Sequence, residues 1–310
     1  MNYQKLGISG LYITDVTYGT ALTIGVESND QKYSDELIDE AWNLGVRSFD
    51  TSNNYGNAEV LLGKSLQRYN RQDFVVSSKG SWPIGEGPYY KGLSRKHIKY
   101  AFEKTYERLG LNYIDIYYAH RYDAEVPMEE IVRVYNELIR SGKILYWGTS
   151  EWPKEKLEEC HKVCDELGLE KPIVEQFLYS YAVRKAENNG VIDFCKDKGV
   201  GTMGFSPLCQ GLLTGKYKNG IPKDSRINKK EKINYFKTEN FYEQNRNRIE
   251  KFFEICDKYN ADYTSTALKF CLKMGVLPVL GASKVGQLSN SLNKIDEDIT
   301  EELFEELKRN

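Results

Sequence analysis

Short apolar runs alternate with longer segments of mixed polarity along most of the chain, from Val16 to Leu280. The short runs predict β-strands, whereas the longer segments repeat apolar residues every three or four positions and predict α-helices. Such alternation is typical of parallel strands joined by helical crossovers. The predicted strands are Val16–Tyr18, Ser48–Asp50, Phe74–Lys79, Ile114–His120, Ile144–Ser150, Ile173–Phe177, Val200–Phe205 and Val276–Leu280.

Two segments between these strands carry the clearest helical signals. The segment from Met128 to Ser141 places its apolar side chains on one face, and Gly142 follows as a helix terminator. A second helix is expected to begin at Ser94, a good N-cap residue, and to end at Gly110. Each helix directly precedes a predicted strand, as a crossover requires.

Eight such units without a linker favour a closed eight-stranded parallel α/β barrel. An open doubly wound sheet would more often carry a G-x-G-x-x-G turn after its first strand, and the sequence has none. We expect a single domain over residues 1–310, with additional helices after the eighth strand. Tyr3–Leu6 and Leu11–Ile13 flank a glycine-containing turn and predict a short hairpin that caps one barrel end.

Charge and hydropathy limit the partners of the chain. Its 43 Lys and Arg residues balance 45 Asp and Glu residues, so no strong field favours nucleic acid or an anionic membrane. Met1–Leu11 lacks the basic and apolar parts of a signal peptide, and no run approaches the roughly 20 apolar residues of a membrane span. We therefore expect a cytoplasmic protein that binds a small molecule and does not insert into a membrane. Assembly into a homo-oligomer stays open.

Six cysteines lie between Cys160 and Cys271 without a C-x-x-C pair. This pattern predicts reduced thiols packed as small apolar side chains, without disulfides. Cys160 and Cys164 would share a helix face while the neighbouring His161 points elsewhere, and no second ligand pair with zinc spacing follows. Ordinary helix packing is therefore favoured over a metal site.

A polar segment rich in lysine and asparagine, Lys216–Asn245, interrupts the alternation. A connection of this length within a compact domain is either a solvated surface loop or a segment that covers a ligand. The composition does not separate these two interpretations. Its length leads us to expect that it lies over a functional face.

Ionisable residues stand at three successive predicted strand ends. Asp50, Lys79 and His120 end the second, third and fourth strands, and Tyr55 lies in the loop after Asp50. The C-terminal strand ends of a parallel barrel form its catalytic face. Because a nearby ammonium lowers the pKa of a tyrosine from about 10, we expect Lys79 to tune Tyr55 as a proton donor and Asp50 to pair with Lys79. Alternatively, Lys79 could form a Schiff base with a carbonyl substrate, as in aldolases.

The residues around Tyr55 also resemble a known family. The stretch Phe49–Glu59, FDTSNNYGNAE, resembles the signature of the aldo-keto reductases, which carries their catalytic Asp and Tyr. The resemblance spans nearly the whole chain and implies an eight-stranded α/β barrel that reduces aldehydes or ketones with NADPH. It implies that Tyr55 protonates the carbonyl oxygen and His120 positions it. The implied catalytic tetrad is Asp50, Tyr55, Lys79 and His120.

The same resemblance implies the residues that hold the cofactor. Ser150 and Gln176 are implied to bind the nicotinamide carboxamide, and Phe205 to stack on the ring. The residues implied to embrace the pyrophosphate are Ser206, Pro207, Leu208, Gly211 and Lys216, and Pro222–Arg226 resembles the loop that folds over bound cofactor. The implied adenosine site comprises Gly281, Ser283, Lys284, Gln287 and Asn290. Ser283 and Lys284 would face a 2′-phosphate, which favours NADPH over NADH.

Within the family, the chain is most similar to potassium-channel beta subunits and their bacterial relatives. The similar segments are Lys91–His97, Pro127–Val132 and Tyr146–Ser150. Channel subunits have asparagine at the fourth-strand catalytic position, where this chain has His120, the residue of ordinary reductases. The alternative function implied by this branch is an NADPH-holding redox sensor or channel-associated protein with low turnover.

The substrate is not defined by the sequence. Its pocket depends on loops such as Ser81–Tyr90, whose shape has no local signature. Trp82 and Tyr122 are the pocket candidates, although each aromatic ring could equally pack against the barrel rim.

Overall fold

Eight parallel strands close into a barrel in the computed structural model, which describes residues 1–218, 220, 222, 223, 225, 228 and 237–310. Neighbouring strands follow chain order, and the last strand pairs with the first. A separate antiparallel hairpin precedes them. The strands are β1 (Tyr3–Lys5), β2 (Tyr12–Thr14), β3 (Thr17–Gly19), β4 (Ser48–Asp50), β5 (Val75–Gly80), β6 (Ile114–Ala119), β7 (Ile144–Ser150), β8 (Val174–Leu178), β9 (Gly201–Phe205) and β10 (Leu277–Leu280). The eight predicted strands are confirmed to within one residue at each end.

Helices cross over between consecutive barrel strands and cover the outside of the barrel. Ser94 Oγ accepts a hydrogen bond from the amide of His97, and Gly110 takes the left-handed conformation that ends the same helix, as predicted. The helices are α1 (Gln31–Asn43), α2 (Ala58–Leu66), α3 (Arg95–Leu109), α4 (Met128–Arg140), α5 (Lys154–Leu167), α6 (Lys185–Asn188), α7 (Val191–Lys198), α8 (Thr238–Lys258), α9 (Tyr263–Lys273), α10 (Gln287–Leu292) and α11 (Glu301–Arg309). The predicted helices α3 and α4 and the additional C-terminal helices α10 and α11 are confirmed.

The barrel interior is filled by alternate side chains of its strands. Ile116 and Tyr118 of β6 lie inside, whereas Tyr117 between them packs outward against the helices. The Tyr118 hydroxyl donates to Met203 Sδ across the interior, at 3.3 Å. The barrel interior is therefore a packed core without room for a ligand, so a binding site has to lie at one end of the barrel.

The hairpin of β1 and β2 covers the N-terminal end of the barrel, as predicted. Leu6 and Ile13 are buried in the same apolar cluster as the interior side chains. The amide of Ile8 donates to the carbonyl of Gly199, which lies just before β9, at 2.8 Å. With this end covered, the C-terminal rim is the end left for a ligand.

All six cysteines are buried free thiols, in agreement with the predicted packing role. Burial raises the pKa of Cys195 and Cys271, so these thiols remain protonated at neutral pH. Within the described part of the chain, no three His, Cys, Asp or Glu side chains are grouped as a metal site would require. The described helices also include none that is both long and apolar enough to cross a bilayer.

The polar segment Lys216–Asn245 differs from its expected form. Its last residues belong to α8, which begins at Thr238, because aromatic residues such as Phe241 supply an apolar contact with the core cluster. Of Pro222–Arg226, Asp224 and Arg226 lie outside the described residues, as do Asn219, Ile221, Ile227 and 229–236. The prediction that this segment covers a ligand therefore stays a prediction.

Candidate active site

The four predicted catalytic residues stand together at the C-terminal rim. Asp50 ends β4, Lys79 lies near the end of β5, and His120 follows β6 directly. These three strands are adjacent in the barrel, so their ends place the three side chains side by side. Tyr55 lies in the turn between β4 and α2, where its amide donates to the carbonyl of Ser52 at 3.1 Å.

Lys79 and Asp50 form a buried ion pair. Both side chains are almost fully shielded from solvent, and Lys79 Nζ donates to a carboxylate oxygen of Asp50 and to the carbonyl of Thr51, the latter at 2.9 Å. The second carboxylate oxygen accepts bonds from Ser77 Oγ at 2.7 Å and Gln176 Nε2 at 3.1 Å. A buried charge is tolerated only when it is paired and hydrogen-bonded, and both conditions are met here.

Tyr55 lies between this pair and His120. Lys79 Nζ is 5.2 Å from the centre of the Tyr55 ring, and the rings of Tyr55 and His120 are 6.2 Å apart and nearly perpendicular. Burial raises the pKa of Tyr55 above its ordinary value, Lys79 opposes this shift, and Asp50 adds to it. The lysine acts in the predicted direction, but the net direction is the reverse of the expectation, because sequence does not reveal how far the ring is desolvated.

His120 is a neutral imidazole in this environment. Burial, followed by the charges of Lys79 and Arg121, lowers its pKa well below the usual value. Its Nδ1 lies 3.1 Å from Ser52 Oγ, which fixes one edge of the ring. A neutral imidazole held in this way can form a hydrogen bond to the oxygen atom of a ligand through Nε2.

Arg121 is a site residue that the sequence reasoning missed. Its Nη1 donates to the carbonyl of His120 at 2.5 Å and to Ser150 Oγ at 3.2 Å. Its guanidinium carbon lies 5.7 Å from the centre of the Trp82 ring. An arginine directly after a strand-end histidine was the available signal, since the residue following the strand is still at the rim.

The two pocket candidates occupy different surroundings. The Trp82 ring lies 6.0 Å from the His120 ring and nearly perpendicular to it, next to the catalytic candidates. The Tyr122 ring packs edge-on against Trp152 at 5.2 Å, with the ammonium of Lys156 5.2 Å from its centre. Of the two pocket candidates, Trp82 is therefore the one that lies beside the predicted catalytic residues.

Ser150 and Gln176 lie on adjacent strands and are nearly fully buried. Gln176 Nε2 reaches Asp50, and Ser150 Oγ reaches Arg121. Both predicted carboxamide-binding residues are thus connected by hydrogen bonds to the group around Tyr55. Phe205 ends β9, on the next strand, and is partly exposed.

The stretch after β9 forms tight turns, which two backbone hydrogen bonds close. The amide of Cys209 donates to the carbonyl of Ser206, and that of Gly211 to the carbonyl of Leu208, at 2.8 and 2.9 Å. Gly211 has φ +87°, and a Cβ placed there would lie 2.7 Å from Lys216 Nζ. The missing side chain lets the Lys216 ammonium lie against the backbone, and backbone amides beside an ammonium suit an anionic group such as a pyrophosphate. Pro207 is buried within this stretch.

The predicted adenosine residues follow β10, the strand next to β9. Gln287 Oε1 accepts from the amide of Ser283 at 2.9 Å, and the amide of Asn290 donates to the carbonyl of Gly286, the N-cap residue of α10. A Cβ on Gly281 would lie 2.9 Å from the carbonyl of Gly19, so this turn runs close to β3. Lys284 is exposed. The pyrophosphate and adenosine candidates therefore share one side of the rim.

Comparisons with known proteins agree with this architecture. The sequence profile of the aldo/keto reductase family matches residues 15–309. A protein of Schizosaccharomyces pombe named "Putative voltage-gated potassium channel subunit beta" is 33% identical over 98% of this chain and 92% of its own length. Proteins of Oryza sativa subsp. japonica and Arabidopsis thaliana, both named "Probable voltage-gated potassium channel subunit beta", are 34% and 33% identical over 96% of this chain and 92% of theirs. The chain belongs to the aldo/keto reductase family.

Proposed function

We propose that this protein, as one barrel domain of residues 1–310, reduces aldehydes or ketones to alcohols with NADPH. Family membership supports oxidoreduction as the class of reaction. The observation that carries the finer proposal is the position of Tyr55, whose ring lies beside the ammonium of Lys79 and faces the neutral ring of His120. When bound, the reduced nicotinamide supplies the hydride.

In this proposal Tyr55 holds the proton that the substrate oxygen receives. As negative charge develops on that oxygen, the Tyr55 hydroxyl donates its proton, and the nearby Lys79 ammonium stabilises the resulting phenolate. Asp50 holds the lysine in place through the buried ion pair. His120, held at Nδ1 by Ser52, orients the oxygen through Nε2.

The residues at the rim fit the proposed cofactor. The Ser150 hydroxyl and the Gln176 amide can hold a carboxamide through complementary hydrogen bonds, next to Tyr55. The backbone at Gly211 together with the adjacent ammonium of Lys216 suits a pyrophosphate. Lys284 and Ser283 would bind a 2′-phosphate, which NADPH carries and NADH lacks.

Replacement of Tyr55 tests the proposal directly. We expect the wild-type protein to consume NADPH in the presence of aromatic or short aliphatic aldehydes, followed by absorbance at 340 nm. Tyr55→Phe should lower kcat by at least about a hundredfold, because general acid catalysis contributes roughly 10²–10⁴-fold, while NADPH affinity, measured by fluorescence, changes little. Tyr12→Phe, on the hairpin at the opposite barrel end, is the matched control. Equal turnover of Tyr55→Phe and wild type would refute the proposal.

The names of the three relatives support a second candidate function, a channel-associated protein that holds NADPH and seldom turns over. It predicts tight, slowly exchanging NADPH and negligible carbonyl reduction in the same assay. Ser52 orients the His120 ring through Nδ1, so that Nε2 can contact a substrate oxygen, and this favours turnover.

The Schiff-base alternative is disfavoured because Lys79 is engaged by Asp50, and a paired ammonium is not a nucleophile. Borohydride trapping of a carbonyl substrate on Lys79 would instead favour the Schiff-base mechanism over the reductase.

A further inference from the structure

Arg121 stands at the candidate active site with part of its guanidinium uncommitted. Nη1 donates its two hydrogen bonds to the carbonyl of His120 and the hydroxyl of Ser150. Among the described residues, no hydrogen-bond acceptor or carboxylate contacts Nε or Nη2. Three of the five N–H donors of this side chain are therefore left for a ligand.

The two bonds from Nη1 also fix the orientation of the guanidinium. Because both acceptors belong to the rim itself, the opposite edge, formed by Nε and Nη2, is presented as a rigid planar fork. Such a fork matches the two oxygens of a carboxylate. Arg121 is partly exposed, so a ligand can reach it.

The fork lies within reach of the reacting groups. Its guanidinium carbon is 5.7 Å from the Trp82 ring, and that ring is 6.0 Å from His120. After burial and the charge of Lys79, the Arg121 charge contributes to the low pKa of His120. One small molecule could thus touch His120 with its carbonyl oxygen and Arg121 with a second group.

No carboxylate in the described part of the chain forms an ion pair with Arg121, and the acidic side chains of the rim are engaged elsewhere or uncharged. Asp50 is held by Lys79, Ser77 and Gln176. Glu151 Oε1 accepts from the amide of Leu178. Glu175 is fully buried, and burial raises its pKa to about 8, so it is mostly uncharged at pH 7. The Arg121 guanidinium is therefore available to bind an anionic group of a ligand.

We propose that Arg121 recognises a carboxylate on the carbonyl substrate, so that the preferred substrates are aldehydes or ketones that carry an acid group. This inference rests on the proposed reductase function and deepens it. Arg121 selects the substrate and takes no part in the proton transfer. The same contact would also hold the substrate while Tyr55 and His120 act on its oxygen.

Ligand binding tests the inference without turnover. Benzoate and benzamide have the same shape and differ in charge, and each is titrated by calorimetry into the protein with NADP⁺ present. Wild type should bind benzoate on the order of tenfold or more tightly than benzamide, since hydrogen bonds to a charged group give that factor. Arg121→Gln should remove the preference, and Arg121→Lys should retain part of it, because the charge remains and the fork is lost. Arg133→Gln, an exposed arginine of α4, is the matched control and should keep the preference.

Kinetics supply the second readout, as the ratio of kcat/KM for 4-carboxybenzaldehyde to that for 4-formylbenzamide. The ratio should fall about tenfold or more in Arg121→Gln, whatever the absolute rates, and stay constant in Arg133→Gln. An equal affinity of wild type for benzoate and benzamide, or a preference that survives Arg121→Gln, overturns the inference. If these two aldehydes and those of the first assay all fail to consume NADPH, the proposed reductase function fails, and the benzoate titration still decides on the carboxylate site.

Discussion

Ser52 Oγ lies 3.1 Å from Nδ1 of His120 and joins the loop that carries Tyr55 to the end of β6. The same hydroxyl lies 2.7 Å from Asn54 Oδ1. Two further acceptors, Asn53 Oδ1 and the carbonyl of Lys79, lie at 3.5 and 3.4 Å. A hydroxyl has one proton to donate, so whether Ser52 gives it to Nδ1 or to one of these three oxygens determines whether Nδ1 of the imidazole carries a proton. Under the proposed function, that in turn determines whether Nε2 donates or accepts a hydrogen bond at the substrate oxygen.

Ser52→Ala should therefore lower the turnover rate and leave cofactor binding unchanged. We expect kcat to fall about threefold to tenfold, the range given by one neutral hydrogen bond, with NADPH affinity unchanged. Ser52→Thr should restore much of the loss because it keeps the hydroxyl. ¹⁵N NMR of the imidazole would show a changed tautomer ratio in the alanine variant, and an unchanged ratio together with full kcat would contradict this role.

The buried pair of Lys79 and Asp50 should behave as a unit in unfolding. Lys79→Met leaves a carboxylate without its cation, and Asp50→Leu leaves the opposite charge, so each should cost about 3–5 kcal/mol of unfolding free energy. The double variant should lose less than the sum of the two single losses. Urea denaturation measures all four proteins, and additive losses would show that the pair contributes no mutual stabilisation.

Buried histidines such as His120 and His161 should make the protein less stable in mild acid. The pKa of His120 is well below the usual value, and that of His161 is lowered to about 4, chiefly by burial. In the unfolded chain both rings bind a proton below about pH 6.5, so the unfolded state takes up more protons there. The free energy of unfolding should thus be fully present above about pH 7 and fall as the pH drops from 6.5 towards 4.

Two variants separate this effect from catalysis. His161→Gln and His120→Gln should each flatten the decline in unfolding free energy between pH 6.5 and 4, measured by urea titration at several pH values. The first should leave turnover at pH 7 unchanged, because the His161 ring packs against Phe194 on the outer face of the barrel. The second should lower it. A decline as steep as that of wild type in both variants would assign the acid sensitivity to other groups.

Lys284 should determine the preference for NADPH over NADH. Lys284→Gln should raise KM for NADPH on the order of tenfold and leave KM for NADH nearly constant, because only NADPH presents a 2′-phosphate. The ratio of kcat/KM for the two cofactors with one aldehyde gives the result. Lys64→Gln, which changes a lysine of α2, serves as the charge-matched control. A ratio that is the same in Lys284→Gln and wild type would place the 2′-phosphate elsewhere.

The strands were predictable because their apolar runs are local and continuous, as in Ile114–Ala119 and Ile144–Ser150. The juxtaposition of Asp50, Lys79 and His120 followed from strand order alone, since parallel strands in a barrel align their ends. Sequence could therefore predict which residues meet at the rim.

The electrostatics of the rim were harder to predict. The raised pKa of Tyr55 depends on how closely surrounding atoms exclude water from its ring, and this is a property of the packed fold. The role of Arg121 depends on the direction of a long side chain beyond a strand end, which has no periodic signal. The helical start at Thr238 was missed because polar residues dominate that stretch.

The hairpin of β1 and β2 determines how molecules can enter and leave. Leu6 and Ile13 fill the N-terminal end of the barrel, so under the proposed function the dinucleotide and the carbonyl compound would both enter at the opposite end. Ser150 and Gln176, which would hold the carboxamide of the nicotinamide, are nearly fully buried, so the cofactor would have to bind first and leave last. Two-substrate kinetics should consequently follow a compulsory sequence, with the alcohol released ahead of the oxidised nucleotide.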